Sequence, residues 1–99
     1  MTENFFGALA SPYRREIIQL LKWRSMSAGE IAAHFDIAQP TVSRHLDVLK
    51  QAEIVTCERK ANQMIYSLNL SVLDEMLLRL ADLLSVPRER QEKEKGAGI

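Results

Sequence analysis

The sequence predicts a mainly helical fold with one small β-hairpin, and three observations predict it. Apolar residues recur at helical spacing in five separate stretches. Two of those stretches meet across a turn of only a few residues. One region, residues 54–68, instead carries β-rich runs on either side of a short polar turn. The expected order is therefore four helices, a two-strand hairpin and a fifth helix.

Asn4 to Leu9 brings Phe5, Phe6 and Leu9 to helical spacing and reads as a short first helix. Ser11-Pro12 opens the second. Ser is a good N-cap, and Pro at the first helical position lacks an N–H that would have no partner there anyway. Ile17, Ile18, Leu20 and Leu21 supply its apolar stripe. Arg14 and Arg15 lie in its first turn, where cations oppose the helix dipole. That mild cost points to a use for the charge, such as a phosphate, against the plainer reading of two solvated arginines.

Ser27-Ala28-Gly29-Glu30 has capping-box spacing, which satisfies two orphan backbone donors reciprocally. The third helix it opens turns Ile31, Ala32 and Phe35 inward and is expected to stop near Asp36. Pro40 then begins the fourth helix, with Gln39 or Ala38 before it. The two are separated as in a helix-turn-helix. In the fourth helix Val42, Leu46 and Leu49 fall at i, i+4 and i+7, one core-facing stripe. Pro40, Thr41, Ser43, Arg44 and Asp47 occupy the other side. Its first turns thus expose short hydrogen-bonding groups plus one arginine, where a merely solvated face more often carries long Lys and Glu side chains.

Ile54 to Arg59 and Gln63 to Leu68 are the two strand runs, with Lys60-Ala61-Asn62 between them. Asn62 tolerates positive φ and is expected to shape the turn. Leu70-Ser71 opens the last helix, with Ser71 as the expected cap. Leu73, Met76, Leu77, Leu80 and Leu84 form its stripe, and Pro87 lies just past its end. Residues 1–86 are thus read as one domain, and residues 87–99 as a charged, disordered tail.

Composition bounds the function. The chain has 99 residues, enough for one small core. Thirteen Lys and Arg residues balance thirteen Asp and Glu residues, which by itself counts against a nucleic-acid surface. The distribution of the cations matters more than their sum. No apolar run is long enough to span a membrane, and the N-terminus shows no secretory pattern, so a cytoplasmic protein is expected. The single cysteine, Cys57, makes no internal disulfide and no thiolate metal site alone; it reads as a half-buried strand residue. His34 and His45 have no pairing that suggests ligation. No metal, no cofactor and no enzymatic activity are expected. There is no Gly-rich phosphate loop or nucleophile elbow, and Ser43 and His45, two apart on a helix, do not face one another.

A hairpin that directly follows a helix-turn-helix makes a winged helix. The fourth helix would enter a DNA major groove by its N-terminal end while the hairpin tip reaches the flanking backbone. Gln39, Pro40, Thr41, Ser43, Arg44 and His45 are then the candidate contacts on the reading helix. Gln suits adenine and Arg suits guanine, each through paired hydrogen bonds. Arg59, Lys60, Asn62 and Gln63 are candidates at the wing, and Arg14 and Arg15 candidates for the DNA backbone. The apolar last helix and the Phe-bearing first helix offer more apolar surface than one core of this size uses. Phe5, Phe6, Leu9, Leu73, Met76, Leu77, Leu80 and Leu84 are accordingly the candidate dimer contacts. A two-fold dimer would set two reading helices about one DNA turn apart, over an inverted-repeat operator.

Three segments resemble the ArsR/SmtB family of small bacterial repressors: residues 11–21 (SPYRREIIQLL), residues 39–49 (QPTVSRHLDVL) and Tyr66-Ser67-Leu68. The resemblance covers nearly the whole chain up to the tail. It implies a homodimer packed through the first and last helices, and repression relieved by a signal. Gln39, Thr41, Ser43 and Arg44 match the family's DNA-contacting positions. Many members sense metal through a Cys-containing motif on the third helix or Asp and His ligands on the last. Here residues 26–34 hold no cysteine and the last helix no histidine, as in the SdpR-type autorepressor branch. Glu53 stands where most of the family has Gly; if a left-handed helix cap is needed there, the side chain costs about 1 kcal/mol. Two other readings follow from the residues. Zero net charge suits a winged helix that binds protein, and Cys57 with the apolar helices suits a thiol- or ligand-responsive sensor. No effector is read from the residues.

Overall fold

A computed structural model describes residues 2–87, with side chains from Asn4 onward. The helices are α1 (Thr2–Ala8), α2 (Pro12–Leu21), α3 (Ala28–Ala32), α4 (Gln39–Gln51) and α5 (Leu70–Leu84). The strands are β1 (Met26–Ser27), β2 (Val55–Lys60) and β3 (Gln63–Leu68). The fold is a winged helix-turn-helix, as expected, with one addition. The sheet has three antiparallel strands in the order β1-β3-β2, because Met26 and Ser27 pair with Tyr66 and Ile65. A two-residue strand has no periodicity to read; only the approach of residues 38 and 40 positions away creates it. The tail expected over residues 87–99 lies, from residue 88 onward, outside the described residues.

The helix starts follow from local chemistry. Ser11 Oγ accepts from Arg14 N with Pro12 at the first helical position. The capping box is complete: Glu30 N donates to Ser27 Oγ at 3.1 Å, and Ser27 N donates to Glu30 Oε1 at 3.0 Å. The Ser27 backbone bond and the Arg24 guanidinium, 2.9 Å from Glu30 Oε2, hold the Glu30 carboxyl below its ordinary range. α3 ends at Ala32 rather than near Asp36. His34 N and Phe35 N reach back only three residues, to Ile31 O and Ala32 O, so the chain tightens into turns there. α5 is capped by Asn69, whose side chain accepts from Val72 N, and not by Ser71. The hairpin turn also differs from expectation. Its positive φ falls on Ala61, at 54°, and not on Asn62. With Lys60 paired to Gln63, the loop has two residues, and only the first takes the left-handed conformation.

Val42, Leu46 and Leu49 bury the expected face of α4 against Ile17 and Leu21 of α2, Ile31 of α3, and Ile54 and Val55 at the start of the wing. Full burial of side chains of this size contributes roughly 1.5–3 kcal/mol each. α4 is therefore held from several sides, which fixes the face it turns outward.

Candidate nucleic-acid interface

Burial of Val42, Leu46 and Leu49 leaves Gln39, Pro40, Ser43, Arg44 and Asp47 exposed, with Thr41 at the margin. Arg44 forms no hydrogen bond or ion pair with the described residues, although Asp47 lies on the same helix. Among the described residues no side chain caps the first turn of α4; Ala38 contributes only its carbonyl, which accepts from Thr41 N and Val42 N. The positive end of the helix dipole is therefore open at the end that carries the candidate contacts. At the wing, Arg59, Lys60, Asn62 and Gln63 are all exposed around the β2–β3 turn. None of their side chains bonds to a described residue.

Arg14 and Arg15 are placed differently from a simple phosphate clamp. Arg14 donates from Nε to Ala8 O at 2.7 Å and from Nη2 to Gly7 O at 3.2 Å. Arg15 donates from Nη1 to Leu9 O at 2.7 Å. The two cations that oppose the α2 dipole thus donate to carbonyls around the end of α1, where positive charge is favoured. This accounts for their position without a phosphate. His45 also departs from expectation. It is half-buried, its ring stacked on Tyr13 at 5.6 Å and its Nδ1 3.1 Å from Arg14 Nη1. It faces α2.

The expected dimer residues separate into three groups. Phe5 and Met76 are buried in the domain's own core, so their apolar area is already used. Phe6, Leu9, Leu73 and Leu80 are half-buried, while Leu77 and Leu84 stand 64% and 69% exposed. Sequence reading missed Leu70, which is 66% exposed. Leu70, Leu77 and Leu84 are spaced by seven, so they share one outward face of α5 with Leu73 and Leu80 between them. The signal is present in the seven-residue spacing, but the stripe read from the sequence starts at Leu73 and includes Met76, which the fold turns inward. Phe6 of α1 shares a surface hollow with Arg79, Asp82 and Leu83 of α5, so the two helices adjoin.

On β2, Cys57 is half-buried opposite Tyr66, as a strand residue should be. Burial first, then the Cys57 thiol and the Asp47 charge, push the Tyr66 hydroxyl up to about 12. Among the described residues no three of His, Cys, Asp and Glu gather closely enough to hold a metal ion. Nor is any described helix long and apolar enough to cross a membrane.

Residues 11–56 match the family described as bacterial regulatory protein, arsR family. Over 74 residues the chain is 47% identical to the transcriptional repressor SdpR of Bacillus subtilis (strain 168), an alignment that covers 75% of this chain and 82% of that protein. The chain belongs to the ArsR family. It is accordingly a DNA-binding transcriptional repressor with a winged-helix domain, and not an enzyme. Solved ArsR-like structures agree with the fold. A crystal structure titled as a possible transcriptional regulator for arsenical resistance superposes with a TM-score of 0.73 at 26% identity, covering 89% of this chain and 92% of that one. A homodimeric winged helix-turn-helix DNA-binding domain from Mycobacterium bovis superposes at 0.68 and 23% identity, covering 82% of this chain and 76% of that one.

Proposed function

We propose that this ArsR-family protein is a cytoplasmic homodimeric repressor that reads an inverted-repeat operator with the N-terminal half of α4. The observation that carries the reading is Arg44: an exposed guanidinium without a partner among the described residues, on the outward face of a helix whose other face is locked into the core. Arg44 is assigned to a guanine and Gln39 to an adenine, with Thr41 and Ser43 beside them on base edges or phosphate. Pro40 lies in the first turn of the helix and packs against the DNA backbone. Arg59, Lys60, Asn62 and Gln63 bring the wing to phosphate. Arg15, exposed, keeps further N–H groups for a phosphate; Arg14 and His45 are not assigned to DNA, because they are engaged with each other.

The dimer is assigned to the face of α5 carrying Leu70, Leu77 and Leu84, with Leu73, Leu80, Phe6 and Leu9 at its edge. An apolar stripe of this length is unusual on a monomer. Its seven-residue spacing suits a matching helix related by a two-fold axis, and the Mycobacterium bovis domain of the same fold is a homodimer. Autorepression, binding to the protein's own promoter, is the extension suggested by the sequence resemblance.

Selection of bound duplexes from a random DNA pool tests these assignments together. The expected product is an inverted repeat with half-site centres about one helical turn apart. Enrichment of a single half-site would overturn the dimer, and salt-independent binding without enrichment would favour a protein partner instead.

A further inference from the structure

The seam between α1, α2 and α4 holds a cluster that the assigned DNA contacts do not use. One guanidinium, that of Arg14, bonds Ala8 O and Gly7 O at the end of α1 and His45 Nδ1 on α4. The His45 ring lies nearly parallel to Tyr13 of α2, at 28°. Tyr13 in turn meets Phe35, after α3, edge to face at 5.9 Å. Arg14 therefore ties the last turn of α1 to the middle of α4, and Tyr13 closes the other side of the ring.

The chemistry of the Arg14–His45 bond has one sign. A guanidinium offers only donors, so Nδ1 must accept, and the neutral ring then carries its proton on Nε2. A second proton can go only to Nδ1. It would remove the acceptor, set a donor against a donor at 3.1 Å, and place two cations together.

We propose that Arg14 and His45 are positioning residues that lock α4 in its DNA-binding orientation against α1 and α2, and that proton uptake at His45 Nδ1 releases the lock. The proposal rests on the reading of α4 as the DNA-reading helix. The charged groups that act on the ring are Arg14 from α2 and Arg44 from α4 itself. From α1 come the backbone carbonyls that Arg14 occupies, and from α2 the face of Tyr13. Among the described residues no carboxylate acts on the ring to compensate an added proton. Burial first, then the Arg14 and Arg44 charges, hold His45 below its ordinary value of 6.5. The locked form thus rejects a proton that the released form accepts. Above that value both forms are neutral and pH has no effect; as pH falls below it, the released form gains the proton and the lock is lost. A histidine facing phosphate would behave in the opposite way, since a new cation there strengthens binding in acid.

The test uses the full chain, a duplex recovered from the random pool and a scrambled duplex of equal length. Affinity for each is read by fluorescence anisotropy from about pH 8 to about pH 5.5, across the range where histidine titrates, at constant ionic strength. Preference for the selected duplex should fall about tenfold over that range, within the usual span of coupling between two sites. His45→Gln, whose amide oxygen still accepts from Arg14 but does not titrate, should keep a flat preference. Arg14→Gln should lose preference at every pH, yet keep the parent's dependence of affinity on salt, because Arg14 neutralises no phosphate. Nitrogen NMR of the free protein at the upper end of the range should show Nδ1 unprotonated and Nε2 protonated, and circular dichroism confirms that each variant folds. Affinity that rises in acid, a decline that persists in His45→Gln, or a proton on Nδ1 at high pH overturns the proposal. If the pool yields no enriched sequence, the reading of α4 itself fails, and the proposal with it.

Discussion

Glu53→Gly should stabilise the protein. Glu53 follows α4 with φ at 61°, in the left-handed region. Glu53 N donates to Lys50 O and Ile54 N to Leu49 O, each at 3.0 Å. This is the paired bonding of a Schellman motif, and it forces the residue at Glu53 into that conformation. Leu49 and Ile54, both at 0% exposure, seal the motif with a buried contact, so the backbone cannot relax by leaving it. An L side chain in the left-handed region costs roughly 1–2 kcal/mol. Glycine escapes that cost but adds freedom to the unfolded chain, worth about 0.4–1 kcal/mol. The exposed Glu53 side chain makes no hydrogen bond or ion pair with the described residues to set against the gain. The net is about 0.5–1 kcal/mol, or a rise in Tm of about 2–8 °C for a domain of this size. Thermal unfolding of parent and variant at equal protomer concentration measures it, since dimerisation makes Tm concentration-dependent. Glu53→Ala is the control: it removes the carboxylate but keeps the backbone strain, and should stay within about 0.5 kcal/mol of the parent. An equal gain in the Ala and Gly variants would trace the effect to charge, and no gain in Gly would refute the strain at this cap.

Four further outcomes follow. Arg44→Ala should lose about 1–3 kcal/mol of discrimination at one base pair of each half-site, read by competition between single-base variants of the selected duplex; unchanged discrimination would remove Arg44 from base reading. Lys60→Ala should weaken selected and scrambled DNA alike and reduce the salt slope by about one, measured by titration at several salt concentrations. Leu77→Glu with Leu84→Glu should give a folded monomer in sedimentation, because two carboxylates would face each other across the proposed two-fold; a dimer that survives would place the interface elsewhere. Ser27→Ala should cost about 1 kcal/mol in denaturant unfolding, by stripping the Glu30 N–H of its acceptor at the start of α3.

The buried stripe of α4 was legible because Val42, Leu46 and Leu49 repeat at the helical period and nothing else in the fold contests that face. The capping box at Ser27 and Glu30 and the Pro12 start of α2 were legible for a related reason: cap chemistry acts within four residues. β1 was not, because Met26 and Ser27 become a strand only by pairing with Tyr66 and Ile65. The turn misled because Asn is the better left-handed residue on its own, yet the register Lys60↔Gln63 puts the positive φ one position earlier, on Ala61.

The sequence alone therefore determined the five helices and the hairpin, the family, and the outward set Gln39, Ser43 and Arg44 with Thr41 at its margin, since each rests on local spacing. It also flagged Glu53 as a costly cap. Tertiary structure decided what the remaining candidates touch. Arg14, Arg15 and His45 looked like DNA ligands from their residue types, and the approach of α1 and α2 to α4 turned Arg14 and His45 toward each other and both arginines toward the α1 carbonyls. Met76 and Leu77 are neighbours in one apolar stripe, and only the docking of α5 buries the first and exposes the second. Periodicity identifies an apolar face, whereas its division between core and partner depends on how elements distant in the chain pack together.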